Sequence, residues 1–448
     1  MVMYQAEASE PRLDAINNRG RSAGSAVPGA VGIKHRSDTT TPDRLTVFLY
    51  SHDTFGLGHL RRNLAIATRL LRRPDRFSVH LITGSPVIAQ WHLPRGLHVQ
   101  PLPPVVKTGV ETYSAREAGR AFGLVKGYRE ALILKLVLRH RPDIFLVDHA
   151  PAGMNGELLS TLALIRREFP EIRTMLGLRD ILDSPENVQS IWRAQDIHAL
   201  IEQAYDDILV YGSQSLFDVV KHYALPRVIA QRVRYCGHVV ESPDSDHSHG
   251  EHNQPKVCWS PPRVQGRPVV LVTAGGGGDG HFLMDAYLRS LDLLASALPY
   301  SVIVMGPLME EAEKSALRAM AAQRSDVELV DHTVNLVPSL QAADLVVAMA
   351  GYNTSAEIIA NRKRSILVPR AAPRAEQRLR ASLLAELGLV RCVEPGPDLA
   401  QRLAAALPEA IAEPPPAEAR WARLVLNGAE RVSEYLMAVA PAVVEYPA

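Results

Sequence analysis

Short aliphatic runs recur along the chain, separated by longer stretches whose apolar residues keep helical spacing. Leu45–Tyr50, Phe77–Ile82, Asp143–Val147, Arg173–Leu178 and Asp207–Tyr211 form a first series. Several are apolar at consecutive rather than alternate positions, as strands buried on both faces of a parallel sheet must be. A second series starts at Pro268–Thr273 and continues through Ser301–Met305, Val327–Val330, Asp344–Val347, Ser365–Val368 and Leu389–Val393. Strand alternating with helix predicts an α/β chain. Two such series predict two doubly wound, Rossmann-like domains facing across a cleft.

Stretches without apolar period set the boundaries. Residues 1–43 are rich in Arg, Ser, Gly and Thr and predict a disordered extension. The first domain then covers 44–240, a polar linker 241–266 and the second domain 267–415. From 416 to 448 the chain reads as one amphipathic helix, apolar at Trp421, Leu424, Val425 and Leu436, which either packs locally or runs back across the first domain. The segment Pro101–Glu117 carries few strand or helix signals before Ser114 and reads as a long loop beside the cleft. Leu132–Arg141 is basic and amphipathic, but it precedes a strand and reads as a crossover helix.

Charge and cysteine usage narrow the classes. With 49 Lys and Arg against 48 Asp and Glu, the chain has no global field to attract nucleic acid, so any phosphate site must be local. Cys236, Cys258 and Cys392 are odd in number and widely spaced, which argues against a disulfide framework or structural zinc and for a reducing cytoplasm. The N-terminus has no apolar signal region, and no run approaches the ~20 apolar residues of a membrane span. Asp246–His252 has metal-ligand residue types, but it lies in the polar linker without ligand spacing, so no metal is expected.

Three motifs carry candidate chemistry. Gly56, Gly58, His59 and Arg62 follow the first strand and open a helix, where the macrodipole disfavours an imidazolium and keeps His59 a usable base. Asp148 ends another strand on the same rim, as orienter of His59 or as base itself; Arg179 and Asp180 end the next, placed to hold an acceptor hydroxyl. In the second series Gly275, Gly276, Gly277, Gly278 and Gly280 lie between a strand and a helix and let backbone N–H groups approach a diphosphate. Gly275, Gly277 and Gly280 also satisfy G-x-G-x-x-G, but the acidic residue a dinucleotide site needs at the end of the next strand is missing. No Gly-Lys-Ser/Thr follows, so this is not a Walker A loop. The third motif, Gly351-Tyr-Asn-Thr-Ser-Ala-Glu357, follows an aliphatic strand, with Asn353 or Thr354 available to cap the helix and Glu357 in its first turns.

The order Gly351, Thr354, Glu357, Pro369, Glu376, Gln377 resembles the donor-binding signature of the C-terminal domain of family 28 glycosyltransferases. The first loop resembles that of GT-B transferases and of related nucleotide-sugar hydrolases. The resemblance spans roughly 45–440 and is most specific over 270–390. It implies a GT-B fold and a metal-independent, inverting glycosyltransferase without a cofactor, its nucleotide-sugar donor, UDP-linked, being a substrate. The diphosphate would rest on Gly275–Gly280, the ribose on Glu357 and the sugar near Glu376 and Gln377, with His59 at the reaction centre. The acceptor, whether glycan, lipid-linked or small, stays open, as does peripheral contact with the inner face of the membrane. Glu376 and the arginines around it depart from the family pattern and leave the donor sugar open. A nucleotide-sugar hydrolase and a non-catalytic binding subunit are the alternatives.

Overall fold

The computed structural model describes residues 44–52, 58–91, 93–109, 112–115, 121–240, 266–294, 298–333, 335–370 and 374–439. Gly56, the expected extension 1–43 and the linker segment with Asp246–His252 lie outside the described residues.

In the first half the strands are β1 (Leu45–Ser51), β2 (Phe77–Thr83), β3 (Leu97–Pro101), β4 (Val105–Gly109), β5 (Thr112–Ala115), β6 (Ile144–Asp148), β7 (Arg173–Arg179), β8 (Asp207–Tyr211) and β9 (Val233–Tyr235). All but β4 and β5 form one parallel sheet in the order β3-β2-β1-β6-β7-β8-β9. In the second half β10 (Val269–Thr273), β11 (Tyr300–Val304), β12 (Val327–Val330), β13 (Leu345–Ala348), β14 (Ser365–Leu367) and β15 (Arg391–Cys392) form a parallel sheet ordered β12-β11-β10-β13-β14-β15. Strand order reverses beside β1 in one sheet and beside β10 in the other. Each reversal opens a crevice at the strands' carboxyl ends, between β1 and β6 and between β10 and β13.

The central strands are where continuous apolar runs require them: Val47–Tyr50, Ile144–Val147 and Leu345–Ala348 are wholly buried. The segment expected as a long loop holds instead the antiparallel hairpin β4–β5, paired Val105 to Ala115 and Val106 to Ser114. A lone hairpin buries little, so it leaves no apolar run in the sequence; here Val105 packs on Val125 and Met154. The single C-terminal helix is in fact two, Glu418–Trp421 and Gly428–Ala438. Trp421 and Leu424 pack in the second half, whereas Val432 and Leu436 join Leu60, Leu64 and Leu70 in the first. The chain recrosses between them, where Gly428 lies so close to the first half that a β-carbon would stand 2.5 Å from the Gly237 carbonyl oxygen. Among the described residues no helix is long and apolar enough to cross a membrane.

Candidate active site at two switch points

β1 feeds the helix Gly58–Leu71, whose second residue is His59; β6, its neighbour across the first switch point, ends on Asp148. Adjacent strands therefore deliver both side chains to one crevice. His59 Nδ1 lies 2.6 Å from Asp148 Oδ2. Arg62, one helical turn beyond His59, donates from Nε to Asp148 Oδ1 (3.0 Å) and from Nη2 to both carboxylate oxygens (2.8 Å each). Burial alone would raise the Asp148 carboxyl, but Arg62 and His59 hold it at about 2. An ionised carboxylate at 2.6 Å requires the proton on His59 Nδ1, which leaves Nε2 as the basic nitrogen. Burial brings the His59 imidazole down to about 4 against the pull of Asp148, so the ring is neutral near pH 7. Its side chain is 14 % exposed, enough to meet a ligand.

The second switch point is built alike. The glycine loop follows β10 and leads into the helix His281–Asp292, and Gly351 caps the helix Tyr352–Ala360 that follows β13. Gly277 has φ +87°, and a β-carbon there would stand 2.1 Å from the Met305 carbonyl oxygen, so only glycine fits. Gly275 has φ +67° and faces Thr354, whose Oγ1 would be 3.1 Å from an added β-carbon. The Gly276 carbonyl accepts from Leu308 N (2.9 Å), Gly278 is exposed and Gly280 precedes the helix. The expected cap by Asn353 or Thr354 does not form, because both lie inside the first turn; Asn353 Nδ2 donates instead to the Gly58 carbonyl (3.2 Å). The first and third motifs thus touch across the halves.

Glu357 is buried and its Oε1 pairs with Arg61 Nη2 at 2.7 Å. Arg61, Asn353 and Glu357 help bound a space of only about 20 Å³. Glu376 opens the helix Glu376–Glu386; its Oε1 accepts from Arg370 Nη2 (2.5 Å), while its Oε2 is buried without a partner among the described residues. Gln377 Oε1 accepts from Arg370 N (3.2 Å). Arg370 Nη1 also reaches Asp279 of the glycine loop (3.0 Å), so one guanidinium bridges two carboxylates beside that loop. Burial would raise the Glu376 carboxyl, but Arg370, Arg179 and Arg380 outweigh it and keep it ionised.

Asp180, expected to meet an acceptor, is instead committed to the protein. Arg380 donates from Nε to Oδ2 (2.9 Å) and from Nη2 to Oδ1 (2.7 Å), and the Ile181 amide adds a bond to Oδ1 (2.7 Å). Arg179 precedes it as the last residue of β7 and is partly buried. Tyr352 was silent in the sequence, yet its ring lies between the Arg62 and Arg380 guanidiniums (5.3 and 5.8 Å) and its hydroxyl accepts from Val239 N (2.9 Å). The sequence also passed over His149, which follows Asp148 with φ 70° and sets its ring 5.0 Å from that of His59. What marks it is a non-glycine residue in the left-handed region, a conformational signal that the sequence does not carry. A hollow of about 480 Å³ lies away from all this, at the amino ends of β7 and β8. Its arginines are engaged, Arg166 with Asp206, Arg173 with Asp207 and Arg232 with two backbone carbonyls.

Several histidines are kept neutral by the fold. Burial lowers His59 and His80 to about 4 and His149 well below 6.5; His80 also stacks on His98 at 4.7 Å. Unfolding lets them take up protons near pH 6.5, so the unfolded state binds more protons between about pH 6.5 and 4 and stability falls as pH falls through that window. Thermal melts from pH 7.5 to 4.5 should show a falling Tm, less steeply in His80→Gln; equal slopes would remove His80 from this account.

Residues 269–434 match the glycosyltransferase family 28 C-terminal domain. No curated protein matches the chain in sequence. Among solved structures it is similar to the glycotransferase of kitacinnamycin (16% identity, 89% of this chain and 100% of that one, TM-score 0.57). It is also similar to MurG of Acinetobacter baumannii (13% identity, 88% and 99%, TM-score 0.50). A third is a putative UDP-N-acetylglucosamine 2-epimerase of Listeria monocytogenes (12% identity, 88% and 96%, TM-score 0.56). At such identities the structural likeness is one of fold, two Rossmann-like halves, and the domain match carries the chemistry. Together they make the chain a glycosyltransferase of the GT-B fold, similar to family 28.

Proposed function

We propose that the protein moves a sugar from a nucleotide-sugar, UDP-linked, to an acceptor hydroxyl, with inversion and without a metal. The observation that carries this reading is the His59–Asp148 pair at one switch point, facing the glycine loop and the Glu357 helix at the other. His59 Nε2 takes the hydroxyl proton as the acceptor oxygen bonds to the anomeric carbon. The bond from that carbon to the phosphate oxygen breaks, and the diphosphate leaves with the electron pair. Asp148 holds the ring and balances the imidazolium, its own charge fixed by Arg62. The diphosphate rests on the backbone N–H groups of Gly275–Gly280 and the N-terminus of the following helix. Glu357 binds the ribose, and Glu376 Oε2, an acceptor with no partner among the described residues, takes a sugar hydroxyl. The 20 Å³ beside Glu357 admits about one water, so a nucleoside enters when the halves part and Arg61 releases Glu357.

Arg370 already supplies positive charge between Asp279 and Glu376, where a divalent ion would otherwise bridge carboxylate and diphosphate. A second reading, a hydrolase with water as acceptor, rests on the first loop, Gly58, His59 and Arg62, which would serve a water as well as a hydroxyl. Measuring nucleoside diphosphate release from UDP-sugars, with and without candidate acceptors and with EDTA, tests both. Release should be slow alone, accelerate strongly with the right acceptor and survive EDTA. Fast acceptor-independent release decides for the hydrolase, and loss on chelation restored by one divalent metal contradicts the donor geometry.

A further inference from the structure

Three arginines are almost fully buried, and each is matched by a carboxylate: Arg62 by Asp148, Arg129 by Glu157 and Arg380 by Asp180. Arg179 breaks the rule. It ends β7 half-buried in the cleft, and among the described residues nothing bonds or pairs with its guanidinium; its Nε is sealed from solvent without a partner. Burial lowers it to about 10, Glu376 opposes that shift, and Arg62, Arg380 and Arg374 all add to it. Glu376 is the acidic influence on it, yet its Oε1 is already held by Arg370. A half-buried guanidinium whose Nε is sealed without a partner among the described residues, with three other arginines acting on it, carries a cost that an arriving anion offsets.

His149 sits in the same crevice with its backbone in the left-handed region and its Nδ1 buried without a partner among the described residues. Burial and then Arg179 keep this imidazole neutral. Strained residues of this kind persist where the surroundings fix them, commonly around a ligand.

We propose that Arg179, with the His149 ring beside it, holds an anionic group of the acceptor, which is therefore a molecule carrying a carboxylate or phosphate near the hydroxyl that receives the sugar. The assignment rests on the transferase reading. It places the anion on the acceptor's side because Arg179 and His149 share the first half with His59, whereas the glycine loop belongs to the second. In an in-line displacement the attacking hydroxyl and the departing diphosphate stand on opposite sides of the anomeric carbon, so the leaving group lies away from the base. A guanidinium matches either anion in bidentate fashion.

The test uses inorganic phosphate as the probe, titrated by calorimetry at constant ionic strength into the full chain, alone and saturated with UDP, in wild type and Arg179→Gln. Phosphate should bind the UDP-saturated protein. Arg179→Gln should lose at least about tenfold in phosphate affinity, the loss of one charge-assisted contact, with UDP affinity unchanged. Because Arg179 has no hydrogen-bond or ion-pair partner among the described residues and three arginines act against it, the variant should melt no lower than wild type; a clear fall in Tm would mark a structural residue and overturn the assignment. Equal phosphate affinity in the variant, or competition between phosphate and UDP with both weakened by Arg179→Gln, would also overturn it, the latter by giving the anion to the donor. Failure of UDP to bind at all counts against the donor reading, and phosphate affinity lost in Arg179→Gln without nucleotide still upholds the anion site.

Discussion

His59→Ala should lower turnover by about 10²–10⁴, the usual worth of a general base, while nucleotide affinity stays near wild type. The expectation follows from what each member of the pair can do. Asp148 accepts three hydrogen bonds from Arg62 and is held at about 2, too weak a base to take a hydroxyl proton near pH 7. His59 is neutral, partly exposed and has Nε2 unengaged by Asp148. Asp148→Asn should therefore also be slow, through loss of ring orientation and of charge balance for the imidazolium. A steady-state comparison of the two variants decides the roles: near-normal turnover in His59→Ala with a dead Asp148→Asn would give the base to Asp148.

Asp180→Ala should destabilise the protein by about 3–5 kcal/mol, the cost of leaving one partner of a buried pair alone. Arg380 would then face Arg179 without its carboxylate, and it also donates to the Ala350 carbonyl (2.8 Å) at the end of β13, just before the Gly351 helix. The damage should extend to donor binding. Replacing both partners, Asp180→Leu with Arg380→Met, should cost less than either single change, since no charge is left stranded. Urea denaturation of Asp180→Ala, the two single changes and the double variant checks this; an Asp180→Ala midpoint equal to wild type would mean that the pair does not join the halves in solution.

Legibility in the sequence followed burial. β1, β6, β10 and β13 are buried on both faces and stand out as apolar runs, and they are the strands that make the switch points. β3 and β9 are sheet edges with exposed positions, His98 among them, so their residues alternate too weakly to read. The glycine loops were legible because backbone geometry leaves no substitute at positions such as Gly277. Partnerships were not: Asp180 and Arg380 lie 200 residues apart, and nothing local in either segment names the other. Asp180 therefore read as a substrate contact, while Arg61, Arg370 and Tyr352, which engage Glu357, Glu376 and the Val239 amide, passed unnoticed.

The second switch point should bind a nucleoside diphosphate through Glu357. Calorimetric titration of UDP into wild type and Glu357→Ala tests it most directly. One site per chain is expected, with a loss of about 1.5–3 kcal/mol in the variant, the range for hydrogen bonds to a charged group; equal UDP affinity in the two proteins would contradict a ribose contact at Glu357.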